Sequence, residues 1–551
     1  MKKIFIASLV FLFFSCSKSD SPTPNPTPFN TQSFTVNGVY KGNSYINLKD
    51  VLLRFVFSGG AIDKSTVSNS VTLKTFGGTD VPLNYTYDND STLVAIPGSA
   101  LTPLTGYRFE ISTALKSITT ANLQNGVALN LYTTIDSTDK FATITDSALL
   151  TLVQQQTFSY FYDFGHPVSG LARERNTSAD VVTTGGSGFG VMALVVGVQR
   201  NFITRTAGLI RLDTIVSFLT NKAQRYHGAF PHWMNGATGA TIPFNNDDDG
   251  ADLVETSYMM QGLLTARQFF NSSDPEEISV RDKINNLYNA VEWNWFRQGG
   301  QNVLYWHWSP TVGFKINVQI SGWDEAMIVY ALAASSTVDS NRIPAVVYDN
   351  GWARNGGMKN GTVYYGLTLP LGPNLGGPLF FAHYSFLGIN PHSLTDTYAD
   401  YWLQNQNHTL INFNYCANNP NNYNGYSSAC WGLTASDDNN GYSAHSPTND
   451  DGVISPTAAI SSLPYTPTQS MDALHFYFYK LGDKLWGQYG FVDAFNLTNV
   501  WFANTYLAID QGPEIIMIEN YRSGLLWNLF MSCPEIKTGM KSIGFQSPNL
   551  N

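Results

Sequence analysis

The hydrophobic and polar positions of the chain follow two different periods. Up to about residue 135, β-branched and aromatic residues alternate with polar ones in short runs separated by Gly, Asn, Asp and Pro. This alternation predicts strands over residues 51–57, 84–87, 92–96 and 107–111. Residues 30–136 are therefore predicted to form a β-sandwich, which carries no cluster of catalytic residue types and is interpreted as a spacer or scaffold.

Beyond Thr145 the apolar positions recur with helical spacing. Helices are predicted over residues 146–162, 190–200, 206–225, 252–270, 275–296, 324–334, 467–481 and 513–530. Long Gly- and Asn-rich loops are expected at 350–378 and 414–467, and loops of that length are usually functional. Because no fixed repeat length is found, residues 140–551 are predicted to form an all-α toroid of helical hairpins rather than a solenoid.

The first residues have the pattern of an export signal. Two lysines precede an apolar run at residues 4–14, which is too short to cross a bilayer of about 30 Å as a helix. The sequence Phe-Phe-Ser-Cys ending at Cys16 resembles a bacterial lipobox. Residues 1–16 are thus predicted to be a lipoprotein signal peptide and 17–29 a Ser/Pro-rich linker; secretion with an incidental cysteine is the alternative.

No later segment reaches about 18 uninterrupted apolar residues, so a lipid on Cys16 is the only predicted membrane anchor. The protein is expected to be an exported lipoprotein of the outer membrane, on the periplasmic or the cell-surface side. Cys416 and Cys430 lie 14 residues apart in a predicted loop, where an exported protein could bridge them. Cys533 is expected to be a buried free thiol.

Composition narrows the function. The chain has a net charge of −10, 13% charged residues and 14% aromatic residues. Abundant aromatics argue against disorder, and an acidic chain without a Lys/Arg cluster argues against binding nucleic acid. No serine-hydrolase, zinc-protease or phosphate-loop motif occurs, and the glycine motif at residues 188–193 lies in a predicted loop without a βαβ unit. A monomer without cofactor or metal, acting on a polysaccharide or oligosaccharide, is therefore expected.

The strongest chemical signal is the acidic segment at residues 245–255. If a helix starts near Asp248, then Asp248, Asp252 and Glu255 form one stripe along it. A solvated acidic face is one interpretation. A calcium loop is another, although the segment departs from the EF-hand pattern and Ca²⁺ binding by residues 247–249 stays open. The third is a site in which crowding raises the pKa of one carboxyl group until it donates a proton.

A second acid comes from the segment at residues 321–325. Ser321 and Asp324 fit a capping box, whereas Glu325 is not needed to start the helix and is a candidate acid, or simply a charge that complements the helix dipole. Aromatic residues beside polar ones recur at 230–233, 305–308 and 431–433. Each group is either core or, taken together near the acids, a set of sugar-stacking platforms.

Several motifs occur in one order and together resemble those of glycoside hydrolase family 144. They are the glycine-rich segment 184–190, the acids of 248–255, and the segments 321–325, 430–437, 464–467 and 510–522. The resemblance covers roughly residues 145–545 and implies an (α/α)6 toroid that hydrolyses β-1,2-glucans with inversion. Residues 101–107 resemble the turn into a strand of bacterial Ig-like domains, which implies an Ig-like sandwich.

The resemblance also implies roles. It marks Asp248, Asp252, Glu255 and Glu325 as the acidic site and Asp510 as a further candidate, with Glu325 as general acid. Asp510, acting through water, and Asp252 are both candidates for the general base. Glu514 departs from the family pattern after the Gly-Pro pair. Substrate-binding candidates are His232, Trp233, Trp306, Trp323, Trp431, Tyr521 and Arg522.

Three functions stay open at this level. The first is an inverting enzyme that cleaves β-1,2-glucan, either internally or by releasing sophorose from an end. The second is a glycosidase of the same fold, similar to a glucoamylase or β-glucosidase, that acts on another glucan. The third is a surface lipoprotein that binds glycans without cutting them.

Overall fold

The computed structural model describes residues 28–39, 44–46, 48–49 and 51–551. The chain divides into two compact units, Met1–Asp136 and Ser137–Asn551. The predicted signal peptide, the lipobox with Cys16 and most of the predicted linker lie outside the described residues.

Two four-stranded sheets make up the first unit. Their order is β1-β3-β6-β5 and β2-β8-β7-β4, and all neighbouring strands are antiparallel except β2 and β8. The elements are β1 Asn30–Val36, β2 Ser44–Ile46, β3 Leu53–Ser58, α1 Val67–Ser70, β4 Val71–Thr75, β5 Leu83–Asn89, β6 Thr92–Pro97, β7 Gly106–Ile111 and β8 Val127–Thr133.

The alternating apolar residues of both sheets form one core. Phe55 of β3 and Phe109 of β7 are fully buried and stack with their ring centroids 5.1 Å apart. The four predicted strands are present with shifts of at most two residues at their ends, because the buried side chains follow the period of two.

The second unit is mainly helical. Its helices are α2 Asp146–Tyr162, α3 Thr184–Gln199, α4 Arg205–Asn221, α5 Leu253–Phe269, α6 Pro275–Asn289, α7 Met327–Ala334, α8 Ala345–Val347, α9 Tyr401–Asn418, α10 Pro456–Ser461, α11 Pro467–His475, α12 Gly482–Leu485, α13 Ala508–Ser523, α14 Leu525–Met531 and α15 Pro534–Ser542.

Short strands in the connections of this unit pair into small sheets that carry much of the site described below. They are β9 Val181–Thr183, β10 Trp233–Asn235, β11 Thr241–Ile242, β12 Ala251–Asp252, β13 Leu304–Tyr305, β14 His307–Trp308, β15 Gln319–Ile320, β16 Val363–Tyr364, β17 Leu367–Thr368, β18 Ala435–Asp438, β19 Gly441–Ala444, β20 Trp486–Gly487, β21 Gly490–Phe491, β22 Phe495–Asn496 and β23 Trp501–Phe502.

Several predicted helices have other ends than the observed ones: α4 ends at Asn221, α6 at Asn289 and α11 at His475, and α7 begins at Met327. Three differences are larger. The predicted helix over 146–162 matches α2, but the one over 513–530 is two helices, broken at Gly524, whose positive φ of 69° ends α13. Helix α9 is not predicted by the sequence pattern: its last residues fall in the loop predicted at 414–467, and no element is predicted for the residues before them. The residues from Thr184, predicted as a glycine-rich loop, form the first turns of α3.

Helix α3 is the central helix of this unit, and thirteen of its sixteen residues are buried. It packs against α2, α4, α5 and α13. Glycines allow the close approach to α5: a Cβ on Gly188 would lie 2.2 Å from the carbonyl oxygen of Tyr258, and one on Gly262 would lie 2.1 Å from that of Gly188. The glycine motif is therefore a packing device of two helices, which explains why no nucleotide-binding loop is formed.

Replacing Gly188 by Ala is expected to lower the free energy of unfolding. Alanine favours a helix by about 1 kcal/mol over glycine, but here the new methyl group meets backbone atoms that cannot move alone, and such overpacking costs about 3 kcal/mol. The thermal midpoint should drop for Gly188→Ala and stay near wild type for Ile210→Ala, an exposed position of α4. An unchanged midpoint for Gly188→Ala would show that the two helices separate at little cost.

Cys416, Cys430 and Cys533 are buried and free. The prediction of a free Cys533 is confirmed, whereas the bridge considered between Cys416 and Cys430 is not formed. Over the described residues, no helix is both long and apolar enough to span a bilayer.

Candidate active site

A cavity of about 380 Å³ opens in the second unit. Three carboxylate residues, Glu174, Glu255 and Glu325, contribute to its wall, together with Arg175 and His232. Most of the remaining surface is aromatic, from Trp233, Phe244, Tyr258, Trp306, Phe380, Tyr384 and Tyr442. Acids among aromatic rings are typical of a pocket that stacks sugar rings and performs proton transfer.

The acidic segment reaches this cavity through a helix start rather than a helix stripe. Helix α5 begins at Leu253, and Asp252 is its N-cap, with Oδ1 accepting a hydrogen bond of 2.9 Å from the backbone N–H of Glu255. Asp248 lies in the preceding turn, outside the helix. The predicted stripe of three acids is therefore wrong, yet the turn and the cap still bring the carboxylates together.

Two histidines contact these carboxylates. Oδ2 of Asp252 lies 3.0 Å from Nδ1 of His232 and 3.8 Å from Nε2 of His307, which is also 3.6 Å from Asp248. Burial would raise the pKa of Asp252, but the hydrogen bond to His232 and the nearby imidazoles lower it. Burial disfavours the charged form of His232, but Glu255, Asp252 and Asp248 outweigh it and raise the pKa to about 9. At neutral pH the two groups form an ion pair.

Glu255 extends from the first turn of α5 to the start of α3. Its Oε2 accepts hydrogen bonds from the backbone N–H of Gly185, at 2.6 Å, and from Thr183, at 3.3 Å. A Cβ on Gly185 would lie 2.6 Å from the same oxygen, so glycine is required there. Burial and the charge of Asp252 raise the pKa of Glu255, although His232 and the two hydrogen bonds oppose this.

Glu325 lies two residues before α7. The predicted capping box is absent: Ser321 donates to the carbonyl of Gly351, and Oδ1 of Asp324 accepts from the backbone N–H of Ala326. This turn delays the helix to Met327 and directs Glu325 into the cavity wall. Burial, and then the charges of Asp324 and Glu255, raise the pKa of Glu325 well above its usual range. Burial therefore favours the protonated form of Glu325.

A second group of charges in the cavity wall is absent from the sequence prediction. Arg175 pairs with Glu174 at 2.9 Å and binds both oxygens of Asp437, at 3.0 and 3.1 Å. Thr505 also donates to Asp437, at 2.6 Å. The signal available in the sequence was the Arg-Glu-Arg run at residues 173–175, unusual in a chain with so few charges. This ion-paired group fixes the position of Glu174 beside the cavity.

Asp510 does not line the cavity and is connected to Asp437 through Asp493. Its carboxyl group hydrogen bonds to that of Asp493, which also accepts a bond of 2.7 Å from the backbone N–H of Asp437. Burial and the charge of Asp493 raise the pKa of Asp510 well above its usual range, and the pKa of Asp493 is raised to about 7. Two buried carboxyl groups that share a hydrogen bond hold at least one proton between them.

The predicted substrate-binding residues fall into two sets. His232, Trp233 and Trp306 line the cavity. Phe244, which sequence reasoning missed, is half exposed and has its ring centroid 4.6 Å from that of His232 and 4.8 Å from that of Trp233. Together they form an aromatic wall beside the charged pair of His232 and Asp252.

The other predicted contacts are not brought to the cavity. Trp431 is fully buried and donates its indole N–H to the carbonyl of Gln469, and Trp323 is 5% exposed and packs in an aromatic core. Neither ring has a free face for a sugar. Tyr521 is exposed at the end of α13, and Arg522 donates to Thr151 and Gln154 of α2. These two positions therefore belong to the surface and to helix packing.

The aspartates considered for Ca²⁺ are occupied by protein groups. Asp247 pairs with Lys315 at 2.9 Å, and Asp249 accepts a hydrogen bond of 2.8 Å from Thr311. Within the described residues, no three His, Cys, Asp or Glu side chains form an arrangement suited to a metal ion.

Comparison with known proteins gives several matches. The Glycoamylase family model, described as "Putative glucoamylase", matches residues 317–534. An exo β-1,2-glucooligosaccharide sophorohydrolase of Parabacteroides distasonis is 46% identical over 73% of this chain. The match covers 58% of that relative, so the chain matches less than two thirds of its length.

Two solved structures are also similar. An endo-β-1,2-glucanase from Chitinophaga pinensis, in complex with sophorotriose and glucose, is 51% identical over 74% of this chain and 100% of its own, with a TM-score of 0.72. A β-1,2-glucanase from Parabacteroides distasonis is 36% identical over 95% of this chain and 74% of its own, with a TM-score of 0.71. Because the Chitinophaga structure is 51% identical and is covered over its full length, the chain belongs to the glycoamylase-like family.

Proposed function

We propose that this protein is an inverting glycoside hydrolase that cleaves β-1,2-glucan or its oligosaccharides. The observation that carries the proposal is the set of three carboxyl groups in one aromatic cavity, where the pKa of Glu325 is raised and Glu255 is fixed by hydrogen bonds. The activities of the Chitinophaga and Parabacteroides relatives supply the linkage.

In the proposed reaction, Glu325 donates its proton to the glycosidic oxygen as the bond to the anomeric carbon breaks. Burial favours the protonated form of Glu325 because it raises the pKa of the carboxyl group. His232, held in its charged form beside Asp252, donates to sugar hydroxyl groups or to water. The aromatic wall of Trp233, Phe244 and Trp306 stacks against sugar rings.

The general base is the carboxylate that activates water on the opposite side of the sugar. Glu255 is our first candidate, because the hydrogen bonds given above go to Oε2 and leave Oε1 for a water molecule. Glu174 is the second, because it also lines the cavity. Asp252 and Asp510, the bases considered from the sequence, are less suited: both oxygens of Asp252 are engaged, and Asp510 does not line the cavity and hydrogen bonds to Asp493.

We further propose the architecture and location that the sequence indicates. The helical unit is an (α/α)6 toroid and the first unit an Ig-like β-sandwich, which agrees with its two four-stranded sheets around one core. The chain acts as a monomer, anchored in the outer membrane by a lipid on Cys16.

The proposal is tested by incubating the protein with linear β-1,2-glucan, β-1,3-glucan and starch and measuring new reducing ends. We expect release from β-1,2-glucan alone, with the product first appearing as the α-anomer in a proton NMR time course, because inversion of a β-linkage gives that anomer. Release only from another glucan would favour a glycosidase of the same fold. Binding of β-1,2-glucan without release from any polymer would favour the glycan-binding lipoprotein.

A further inference from the structure

The first unit carries a groove of about 340 Å³ on the outer face of the sheet β2-β8-β7-β4. We propose that this groove binds a neutral glucan chain, with the ring of Phe76 as its stacking platform. The identity of that glucan as the β-1,2-linked substrate rests on the proposed function; the neutral polysaccharide as ligand class does not.

Phe76 is held as a platform. It is 54% exposed, although its backbone N–H donates to the carbonyl of Gly106 at 2.9 Å and so continues the pairing of β4 with β7. The ring lies against Gly106, where a Cβ would be 2.4 Å from ring atom Cε2, and Tyr132 meets it edge-on at 5.6 Å. One ring face thus rests on the strand and the other is open to a ligand, as stacking requires.

A polar row lies beside this ring. Lys74, Arg108 and Asn130 are aligned across β4, β7 and β8. Arg108 is fixed by hydrogen bonds to Glu110 at 3.0 Å and to Asn130 at 2.8 Å. The ring of Phe76 lies against Gly106, and Gly106 is two residues before Arg108 on β7. The polar row is therefore about 7 Å from the ring. Fixed donors and acceptors at that distance suit the hydroxyl groups of the next sugar along a chain.

The charges of the groove point to a neutral ligand. Lys74 pairs with Asp80 at 3.2 Å, and Arg108 pairs with Glu110. An anion that binds Lys74 or Arg108 would have to displace the carboxylate with which that side chain is paired. A neutral polyhydroxyl chain can hydrogen bond to the remaining donors and acceptors without breaking either pair.

The test uses the full chain carrying Glu325→Gln, which prevents hydrolysis, and Trp306→Ala, which weakens binding in the cavity. Migration is compared in gels that contain linear β-1,2-glucan, β-1,3-glucan or starch, with and without Phe76→Ala. For the glucan that the groove binds, whichever of the three it is, we expect Phe76→Ala to raise the apparent dissociation constant about tenfold. Ile118→Ala, at another exposed apolar position of the first unit, should leave it unchanged.

The outcomes separate the two proposals. Equal retardation with and without Phe76→Ala in every gel overturns the groove, whatever the enzyme hydrolyses. A second outcome is that retardation depends on Phe76 only in β-1,3-glucan or starch, while the wild-type enzyme releases nothing from β-1,2-glucan. This result supports the glucan-binding groove and contradicts the proposed substrate. In the otherwise unchanged enzyme, Phe76→Ala should raise KM for the polymer but not for a tetrasaccharide.

Discussion

Glu325→Gln is expected to lower kcat on β-1,2-glucan about a hundredfold to ten-thousandfold while the protein still binds the polymer. The amide keeps the size of the side chain but cannot donate a proton to the leaving oxygen, and such proton transfer contributes about 10²–10⁴-fold to a rate. Reducing-end assays measure kcat, and gel retardation on the polymer measures binding. Glu276→Gln, at an exposed position of α6, is the matched control and should retain full activity.

The pH profile provides a second readout for Glu325. The general acid must be protonated, so activity falls as pH rises through its pKa, and the raised pKa places that limb well above the usual range of a glutamate. A profile that already falls between pH 4 and 5 would contradict the assignment, as would a Gln variant with more than a tenth of the wild-type kcat.

Glu255→Gln is expected to lower kcat a hundredfold or more if this carboxylate activates the water. Gln at this position still accepts the hydrogen bond of Gly185 through its carbonyl oxygen, so the start of α3 is preserved while the base is lost. Asp247→Asn, on the same acidic segment but paired with Lys315 outside the cavity, should behave as wild type.

The pH profile of the residual activity of Glu255→Gln should differ from that of the wild-type enzyme. The charge of Glu255 contributes to the raised pKa of Glu325, so its removal should move the high-pH limb of the profile to lower pH. A variant with nearly full kcat would exclude Glu255 as the base and make Glu174→Gln the next variant to measure, because Glu174 also lines the cavity.

Local sequence patterns predicted those parts of the fold that depend on neighbours along the chain. The strands of the first unit follow an alternation that any half-buried sheet requires, and α6 begins at Pro275, where its helix is predicted, because Asp274 caps it and proline suits the first turn. Helix α9 escaped prediction because its buried face is polar: Gln404, Asn405 and Asn412 hydrogen bond inside the protein. A hydrophobic period cannot reveal such a helix.

The acids of the site were found because the chain is poor in charge and its motifs resemble a known family. The arrangement of these acids was not predicted correctly. Asp248 lies outside the helix, which starts only at Leu253, and the capping box predicted for Asp324 does not form. The sequence also predicts Trp431 as a sugar platform, although the ring is fully buried, because residue type and spacing do not distinguish a buried ring from an exposed one.

The sequence by itself therefore determined the two kinds of secondary structure and the identity of Glu255 and Glu325 as candidate acids. Only the tertiary structure decided which groups meet. It brought Arg175 to Asp437, 262 residues further along the chain, and set Glu255 against Gly185. The pKa of each carboxyl group is fixed by such distant contacts and by burial, and no local pattern in the chain encodes either of them.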